Sequence, residues 1–295
     1  MKANRAVWQD TAIRIILTGL GSTSILIVIL IFIFLFREAL PFSWKPGLDK
    51  LFSGNWIPTS PVKEQFGVFP LITGTLIVTL IATAIAIPFG ICAAVYVAEI
   101  ASTPEREFFK PFIELLAGIP SVVIGFFGLI VLAPLVQRVF HLDSGLNAVT
   151  GALLLALMAS PTIISISEDA IRSVPRSYKE ASLALGASKM QTIWKVTFPA
   201  SLSGIIAAVM LGMGRVIGET MAVLMVTGNA PILRINPFLS VRTMTATIAA
   251  EMGEVAFGSD HYRALFWIGI LLLLSTFGLN MIAQRALRRF GSTRR

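Results

Sequence analysis

Two charged side chains stand alone within a long apolar run. Arg215 and Glu219 are the only charged residues between positions 195 and 234. An arginine in the middle of a membrane costs about 2.5 to 3.5 kcal/mol on insertion scales, and intramembrane charges of this kind mark substrate paths. The guanidinium is a planar fork of donors that matches the oxygens of phosphate or another tetrahedral oxyanion. The pair therefore predicts a site where an anion passes through a membrane.

The spacing of the two charges, i and i+4, puts them on one face of a single helix. From there Glu219 could hold the guanidinium in place, neutralise it between transport events, or accept a hydrogen bond from a protonated anion. Thr220 adjoins the pair and completes the predicted substrate pathway. Gly214 and Gly218 have the small-xxx-small spacing of packed membrane helices. The alternative is a buried ion pair that only fixes helix packing. Burying such a pair costs desolvation free energy, and the glycines already allow the helices to pack closely.

A polar, basic segment, residues 172–200, lies between two apolar runs and is the second candidate functional region. Ser177 with Glu180, and Ser188 with Gln191, have the spacing of a capping box, in which each partner satisfies a free donor at a helix start. The sequence therefore predicts two short helices in this segment.

Turn residues and apolar residues define the shape of the 172–200 segment. Gly186 lies where the first short helix must stop, because glycine accepts the left-handed conformation that closes a helix. Pro199 is expected to end the second. A helix pair with an apolar face and a basic rim could lie in the groove of a partner protein, or on lipid headgroups. The residues of that apolar face are Leu183, Leu185, Met190, Ile193 and Trp194.

The composition indicates a membrane protein. Hydrophobic residues make up 55% and charged residues 14% of the 295 positions, and the mean hydropathy is +0.81. One cysteine and two histidines, both expected to be solvated, suggest neither a disulfide, a metal cluster nor a Cys/His catalytic pair. No Gly-rich phosphate loop of the form G-x-x-x-x-G-K-[ST] is present, so ATP hydrolysis has to belong to another subunit.

Six apolar runs are long enough to cross the hydrocarbon core, and they must position both polar features. The first follows a few basic residues, but it is too long for a signal peptide and is expected to be a retained anchor. The loops 37–67 and 228–263 are expected outside the membrane, residues 99–110 form a turn, and prolines kink or break the third run. The predicted helices are residues 15–36, 68–98, 115–136, 146–166, 198–227 and 264–284.

The distribution of basic residues sets the orientation. Six crossings return both termini to one side of the membrane, together with the 172–200 segment. Of the 24 Lys and Arg residues, 15 lie on that side and 8 on the other. The positive-inside rule therefore places both termini and the 172–200 segment in the cytoplasm.

The pattern Glu180-Ala181-Ser182, Gly186 and Val196-Thr197-Phe198-Pro199 resembles the coupling loop of bacterial ABC importer permeases. The family pattern is Glu-Ala-Ala, three residues, Gly, nine residues and Ile-x-Leu-Pro. The spacing agrees throughout, and positions 182, 196 and 198 differ in size rather than in chemistry. In that family the loop docks into a cleft on the ATPase. The resemblance therefore implies an ATPase-coupling role for Glu180, Ala181, Gly186, Val196 and Pro199.

Three further stretches are similar to the PstC-type permease subunits of the bacterial high-affinity phosphate importer. They are Gly-Arg-x-x-Gly-Glu-Thr-Met-Ala from residue 214, Phe-Gly-Val-Phe-Pro-Leu-Ile-x-Gly-Thr from residue 66, and the loop from Asn236-Pro237 to Phe257-Gly258. In that family an arginine and a glutamate of the first stretch are implicated in transport. The match carries that role onto Arg215 and Glu219.

The resemblance implies an all-α membrane protein with six transmembrane helices, built as a type I ABC importer permease core of the MetI type with an additional N-terminal helix. The expected units are an anchor and periplasmic loop (1–67), a permease domain (68–285) with its coupling loop at about 172–198, and a basic cytoplasmic tail (286–295). It places the chain in the bacterial inner membrane.

The resemblance also implies a set of partners. They are a homologous second permease, an ATPase dimer that binds the ATP, a periplasmic phosphate-binding protein and membrane lipid. Neither nucleic acid nor a cofactor of the chain's own is expected, and the chain is expected to be a non-catalytic subunit.

Three other functions compete with phosphate import. An importer of sulfate or molybdate would share the coupling loop but is not expected to carry Gly-Arg-x-x-Gly-Glu-Thr-Met. A transporter or channel driven by an ion gradient would need internal repeats or several intramembrane carboxylates, and the sequence has neither. A membrane enzyme would need a His/Asp/Glu cluster, which no apolar run contains.

Overall fold

The computed structural model describes residues 2–291, without the side chains of residues 2–10, 12, 279–280, 282–284 and 286–291. Most of the chain is helical. In chain order the helices are α1 (Lys2–Phe42), α2 (Phe69–Val95), α3 (Thr103–Gly118), α4 (Ser121–Phe127), α5 (Ala133–Val139), α6 (Ala148–Arg172), α7 (Arg176–Ala184), α8 (Lys189–Thr192), α9 (Phe198–Gly218), α10 (Met221–Val226), α11 (Met244–Glu251) and α12 (Asp260–Gly291).

Short elements join or extend these helices. A 3₁₀ turn lies at Leu48–Lys50, and strands β1 (Trp56–Ile57) and β2 (Gln65–Phe66) pair in antiparallel fashion in the loop after α1. Single turns of π-helix, in which each hydrogen bond spans five residues instead of four, occur at Tyr96–Ile100, Gly128–Leu132 and Ile193–Thr197. The backbone kinks within Ser43–Gly47, where Lys45 is extended with φ −145° and ψ 119°.

Six helical segments are long and apolar enough to cross a membrane, which confirms the number predicted from the sequence. α1 packs on the rest of the chain mainly through its last turns, where Ala39 and Phe42 are fully buried and the Ala39 carbonyl accepts a hydrogen bond from Trp267 at 2.8 Å. The six segments are Ile13–Lys50, Phe69–Ile100, Ser121–Val139, Ala148–Arg172, Lys189–Gly218 and Asp260–Gly278.

The prediction of a simple turn over residues 99–110 is wrong, because α3 begins at Thr103 and runs for 16 residues. The Ser102 amide and hydroxyl both donate to the Glu105 carboxylate, at 2.7 and 2.9 Å. These bonds hold the pKa of Glu105 below its usual value and satisfy free donors at the helix start. The third apolar run is broken, as predicted, where Ile119 and Pro120 take extended backbone between α3 and α4.

The prediction that Pro199 ends a short helix is also wrong. α8, the π turn at Ile193–Thr197 and α9 follow one another without a break, so that one helical segment runs from Lys189 to Gly218. Proline has no N–H to donate, and Pro199 lies in the first turn of α9. The π turn before it, closed by the Phe198 amide on the Ile193 carbonyl, lets the chain stay helical through the proline.

The loops over residues 37–67 and 228–263 pack on each other and on the bundle. The loop predicted over residues 228–263 contains α11. Trp56 and Phe66 from the hairpin pack in one apolar cluster with Met244 and Leu265. Gly74 is needed for this contact, because a Cβ there would lie 2.4 Å from the Arg242 carbonyl oxygen. The loops therefore form an ordered cap at one end of the bundle.

Small residues set the distance between α9 and α6. A Cβ on Gly204 would meet Ala170 at 2.4 Å, and one on Gly212 would meet Ile163 at 2.5 Å. Ala208 lies midway between the two glycines and is fully buried. The small-xxx-small contact is therefore made by residues 204, 208 and 212. The predicted pair, Gly214 and Gly218, instead has no such neighbour among the residues described by the structure.

The last helix runs beyond the apolar run. α12 continues to Gly291, so the tail expected from residue 286 begins as helix. Residues 292–295 lie outside those that the structure describes. The division at residues 67 and 285 stays a prediction.

Candidate functional site

The fifth span ends in a helix break beside the predicted anion site. α9 stops at Gly218, and Glu219 has extended backbone with φ −69° and ψ 132° before α10 begins. The prediction that Arg215 and Glu219 share one helix face is therefore wrong. The Glu219 carbonyl accepts from the Thr245 hydroxyl at 2.9 Å, and its Oε1 accepts from the Ala222 amide at 3.3 Å. Glu219 thus stabilises the break rather than neutralising the arginine.

Arg215 makes few polar contacts with the residues that the structure describes. It is half-buried, and its Nη1 donates to the Thr162 hydroxyl of α6 at 3.4 Å. Among the residues that the structure describes, no carboxylate forms an ion pair with it. A guanidinium in a membrane segment without a neutralising carboxylate favours an anionic ligand. The internal ion pair that would only fix packing does not form.

The surroundings of Arg215 are open on one side. Within the described part of the chain, no atom outside α9 lies within 4 Å of a Cβ built on Gly214 or Gly218. Thr220, the third predicted pathway residue, is half-buried, and its hydroxyl donates to the Gly218 carbonyl at 3.2 Å across the break. Arg215 and Thr220 therefore flank an open stretch of backbone that a ligand or a partner helix can approach.

Of the two capping boxes predicted in the 172–200 segment, one forms. α7 begins at Arg176 after Pro175, so Ser177 lies inside the helix and the capping box predicted with Glu180 is wrong. Proline fixes its own φ angle and has no N–H that needs an acceptor, so it suits a helix start. The helix therefore begins two residues earlier in the sequence than predicted. The second box forms, with bonds of 2.9 and 3.3 Å between Ser188 and Gln191. Gly186 closes α7 with φ +86°.

Large apolar side chains of this segment point outward and form what we call the coupling surface: Tyr178, Leu183, Leu185, Met190 and Trp194. Leu185 is 90% exposed, while Ile193, which the sequence assigned to the same face, is 2% exposed and packs against α2, α6 and α9. Glu180 and Ala181 are exposed beside this surface, and Val196 and Pro199 are half-buried. Several exposed large apolar side chains on one short helix pair are typical of a protein interface.

A buried carboxylate that was not predicted from the sequence lies near the 172–200 segment. Glu168 of α6 is 2% exposed and is surrounded by three cations, which we call the Glu168 cluster. Its carboxylate lies 3.4 Å from Arg106, 3.7 Å from Lys110 and 3.5 Å from Arg172. The cluster joins α3 to α6. Only the Glu168 and Arg172 spacing of i, i+4 was a local signal for it.

A second cluster lies at the opposite end of the bundle. Glu251 accepts from Arg242 at 2.7 Å, contacts His261 at 2.8 Å and accepts from the Trp56 indole at 3.0 Å. His261 was expected to be solvated, but its side chain is only 14% exposed. These four residues line a cavity of about 860 Å³. Glu251, the last residue of α11, thereby ties α12, the hairpin and the loop before α11 together, because its carboxylate accepts from a donor on each of them.

Comparisons with known proteins agree with this architecture. Residues 86–292 match the family model described as binding-protein-dependent transport system inner membrane component. The probable ABC transporter permease protein YqgH of Bacillus subtilis is 42% identical over 230 residues, covering 78% of this chain and 74% of that protein. The phosphate transport system permease protein PstC of Mesorhizobium japonicum is 37% identical over 262 residues, covering 82% and 79%.

Solved structures share the fold at low sequence identity. A chain of the MetNI methionine ABC transporter in an inward-facing conformation matches with a TM-score of 0.58 at 16% identity, over 75% of this chain and 95% of that one. A chain of a bacterial ABC transporter involved in alginate import matches with a TM-score of 0.57 at 16% identity, over 88% and 95%.

These matches confirm the predicted fold class. The protein is an all-α membrane protein with six candidate spans, in which a MetI-like importer permease core follows an additional N-terminal helix. Since the family model covers more than half of the sequence, the chain belongs to the family of binding-protein-dependent transport system inner membrane components.

Proposed function

We propose that this chain is the permease subunit of an ATP-driven phosphate importer. The observation that carries the proposal is Arg215, a membrane arginine that no described carboxylate neutralises, beside an open helix break. A planar fork of donors suits the oxygens of phosphate. The relatives support the substrate, since several proteins called phosphate transport system permease protein PstC are 31 to 37% identical to the chain.

The substrate path runs past Arg215, Glu219 and Thr220. Arg215 binds phosphate weakly and in transit, because a tight site in the membrane would trap the ion. Glu219 holds the break in shape through the Thr245 hydroxyl and the Ala222 amide. Specificity lies mostly in a periplasmic phosphate-binding protein, which releases the ion near the outer loops.

The energy comes from an ATPase dimer that docks on the coupling surface. The segment Lys189–Gly218 is continuous, and its 30 residues span about 45 Å at 1.5 Å each. It begins at the coupling surface and ends at Arg215, so a tilt imposed at one end moves the other. A homologous second permease completes the pathway along the open face at Gly214 and Gly218.

The chain lies in the bacterial inner membrane, with both termini and the 172–200 segment in the cytoplasm. The Lys and Arg distribution supports this orientation, and an ATPase reaches the coupling surface only from that side. ATP is bound by the partner and the chain needs no cofactor of its own.

The proposal is tested by ATP hydrolysis of the assembled complex in nanodiscs. Two binding proteins are compared, one loaded with phosphate and one loaded with sulfate. We expect the phosphate-loaded protein to stimulate hydrolysis and the sulfate-loaded one to leave it at the basal rate. Stimulation by the sulfate-loaded protein alone would assign the permease to another oxyanion.

We expect Glu180→Lys to weaken ATPase binding to the permease about tenfold, because a reversed charge at the edge of an interface meets like charge on its partner. Glu180 is exposed and adjoins the coupling surface. Co-purification of the ATPase with the membrane subunits measures the effect. Asp143→Lys reverses another exposed carboxylate, in the loop before α6, and should leave co-purification unchanged. Normal co-purification with Glu180→Lys would remove the docking assignment.

A further inference from the structure

One ion pair ties the 172–200 segment to a part of the bundle that it does not follow in sequence. The Lys179 ammonium of α7 donates to Oε1 of Glu99, a residue 80 positions earlier. The two side chains are 24% and 11% exposed, so water screens the pair only partly. Shielded ion pairs interact more strongly than pairs on an open surface.

Glu99 stands at a corner between two spans. It belongs to the π turn Tyr96–Ile100 that ends the second span, and α3 begins three residues after that turn. The Tyr96 ring packs on Phe109 of α3, with centroids 6.3 Å apart. α3 is held to α6 by the Glu168 cluster and leads into the third span. A displacement of Glu99 would therefore move the second and third spans together.

The covalent connections of α7 lead elsewhere. On one side only residues 173–175 separate it from α6, and on the other it continues through α8 into α9. Without a side-chain link, α7 would push directly only on the fourth and fifth spans. Among the described residues, the Lys179 and Glu99 pair is the one ion pair that links α7 to the corner between the second and third spans.

Lys179 is also placed apart from the docking side of its helix. Glu180 and Ala181 are exposed, whereas Lys179 is half-buried, and Ser182 on its side of α7 contacts the Thr192 hydroxyl of α8 at 3.0 Å. Lys179 therefore faces the membrane domain, and Glu180 faces the solvent in which a partner would dock.

We propose that the Lys179 and Glu99 pair is a strut that transmits the movement of α7 to the second and third spans. The inference rests on the proposed function, since an ATPase must move α7. Both residues are positioning residues and touch neither substrate nor nucleotide. Without the strut, ATP hydrolysis would continue while the second and third spans lag behind, so transport per ATP would fall.

Charge reversal tests the strut. The variants are Glu99→Lys, Lys179→Glu and the double exchange, each in the full complex in proteoliposomes. We expect each single variant to lower the phosphate transported per ATP hydrolysed about tenfold, with the ATPase still bound. The double exchange restores the pair with opposite polarity and should recover the ratio to within about threefold. Glu107→Lys, an exposed reversal on the same corner, should leave the ratio unchanged.

The outcomes separate the strut from the proposed function. If the wild-type complex does not transport phosphate, the proposed substrate is wrong. The strut is then measured by the distance between spin labels on α7 and α3 with and without ATP, which needs no substrate. Failure of the double exchange to recover either the ratio or the ATP-dependent distance change, while the single variants lose both, would overturn the strut. Single variants that behave as wild type would also overturn it.

Discussion

Replacement of Arg215 by alanine is expected to lower phosphate uptake 10- to 100-fold while the complex stays assembled. The range follows from losing hydrogen bonds to a charged group, each worth about 1.5 to 3 kcal/mol. Arg215 makes one hydrogen bond to the other residues that the structure describes, at 3.4 Å to Thr162, so its removal costs the fold little. Uptake of labelled phosphate and co-purification of the subunits are measured on the same preparation.

Two further variants sharpen this experiment. Arg215→Lys keeps the charge but loses the planar fork, so we expect an intermediate uptake. Arg263→Ala removes an arginine that forms a surface ion pair with Asp260 at 3.6 Å and should leave uptake near the wild-type level. Loss of the complex with Arg215→Ala would instead indicate that the arginine serves packing between subunits. Uptake above half of the wild-type value would remove it from the pathway.

The second large effect is expected from Glu168→Gln, which should destabilise the protein by about 3 kcal/mol. Removing one partner of a buried ion pair costs about 3 to 5 kcal/mol because an uncompensated charge stays behind. The lower end applies here because the side chains of Arg106, Lys110 and Arg172 are 30 to 38% exposed and water screens them in part. Thermal unfolding in detergent and the amount of protein in the membrane measure the loss.

The neighbouring residue provides a matched control for Glu168. Asp169 is exposed on the same helix, and Asp169→Asn should leave the unfolding temperature unchanged. An equal response of the two variants would show that burial of Glu168 among three cations does not stabilise the fold. A normal unfolding temperature for Glu168→Gln would lead to the same conclusion.

The number of spans and the position of the 172–200 segment could be predicted because they depend on local composition. A run of apolar residues must avoid water wherever it lies, so its length alone predicts a membrane helix. The closure of α7 at Gly186 and the box at Ser188 and Gln191 were likewise predictable, since each involves residues within one helical turn. Ser102 and Glu105 carried the same signal for α3 and were overlooked.

The break at Glu219 could not be predicted in the same way. Spacing over residues 215–219 fits a continuous helix, and the contact that stabilises the break is a hydroxyl 26 positions later, Thr245. The clusters around Glu168 and Glu251 were unpredictable for a similar reason, because all of their cations except Arg172 come from other helices or loops. Sequence periodicity reports one element at a time, whereas these sites exist only after several elements have packed.

The burial of Ile193 is a further case in which packing overrides the local pattern. Its position in the segment fits the apolar face of a short helix pair, but the segment continues into α9 and turns Ile193 toward α2 and α6. The π turn that allows this continuation ends just before Pro199, where the sequence alone favours a helix end.

The measurement that tests the central claim most directly is uptake of labelled phosphate into proteoliposomes that contain the wild-type complex and its binding protein. ATP is enclosed on the side of the 172–200 segment, and parallel vesicles hold a non-hydrolysable analogue or receive labelled sulfate. We expect phosphate to accumulate only with hydrolysable ATP, and we expect no accumulation of sulfate. Accumulation driven by an ion gradient without ATP, or accumulation of sulfate in place of phosphate, would contradict it.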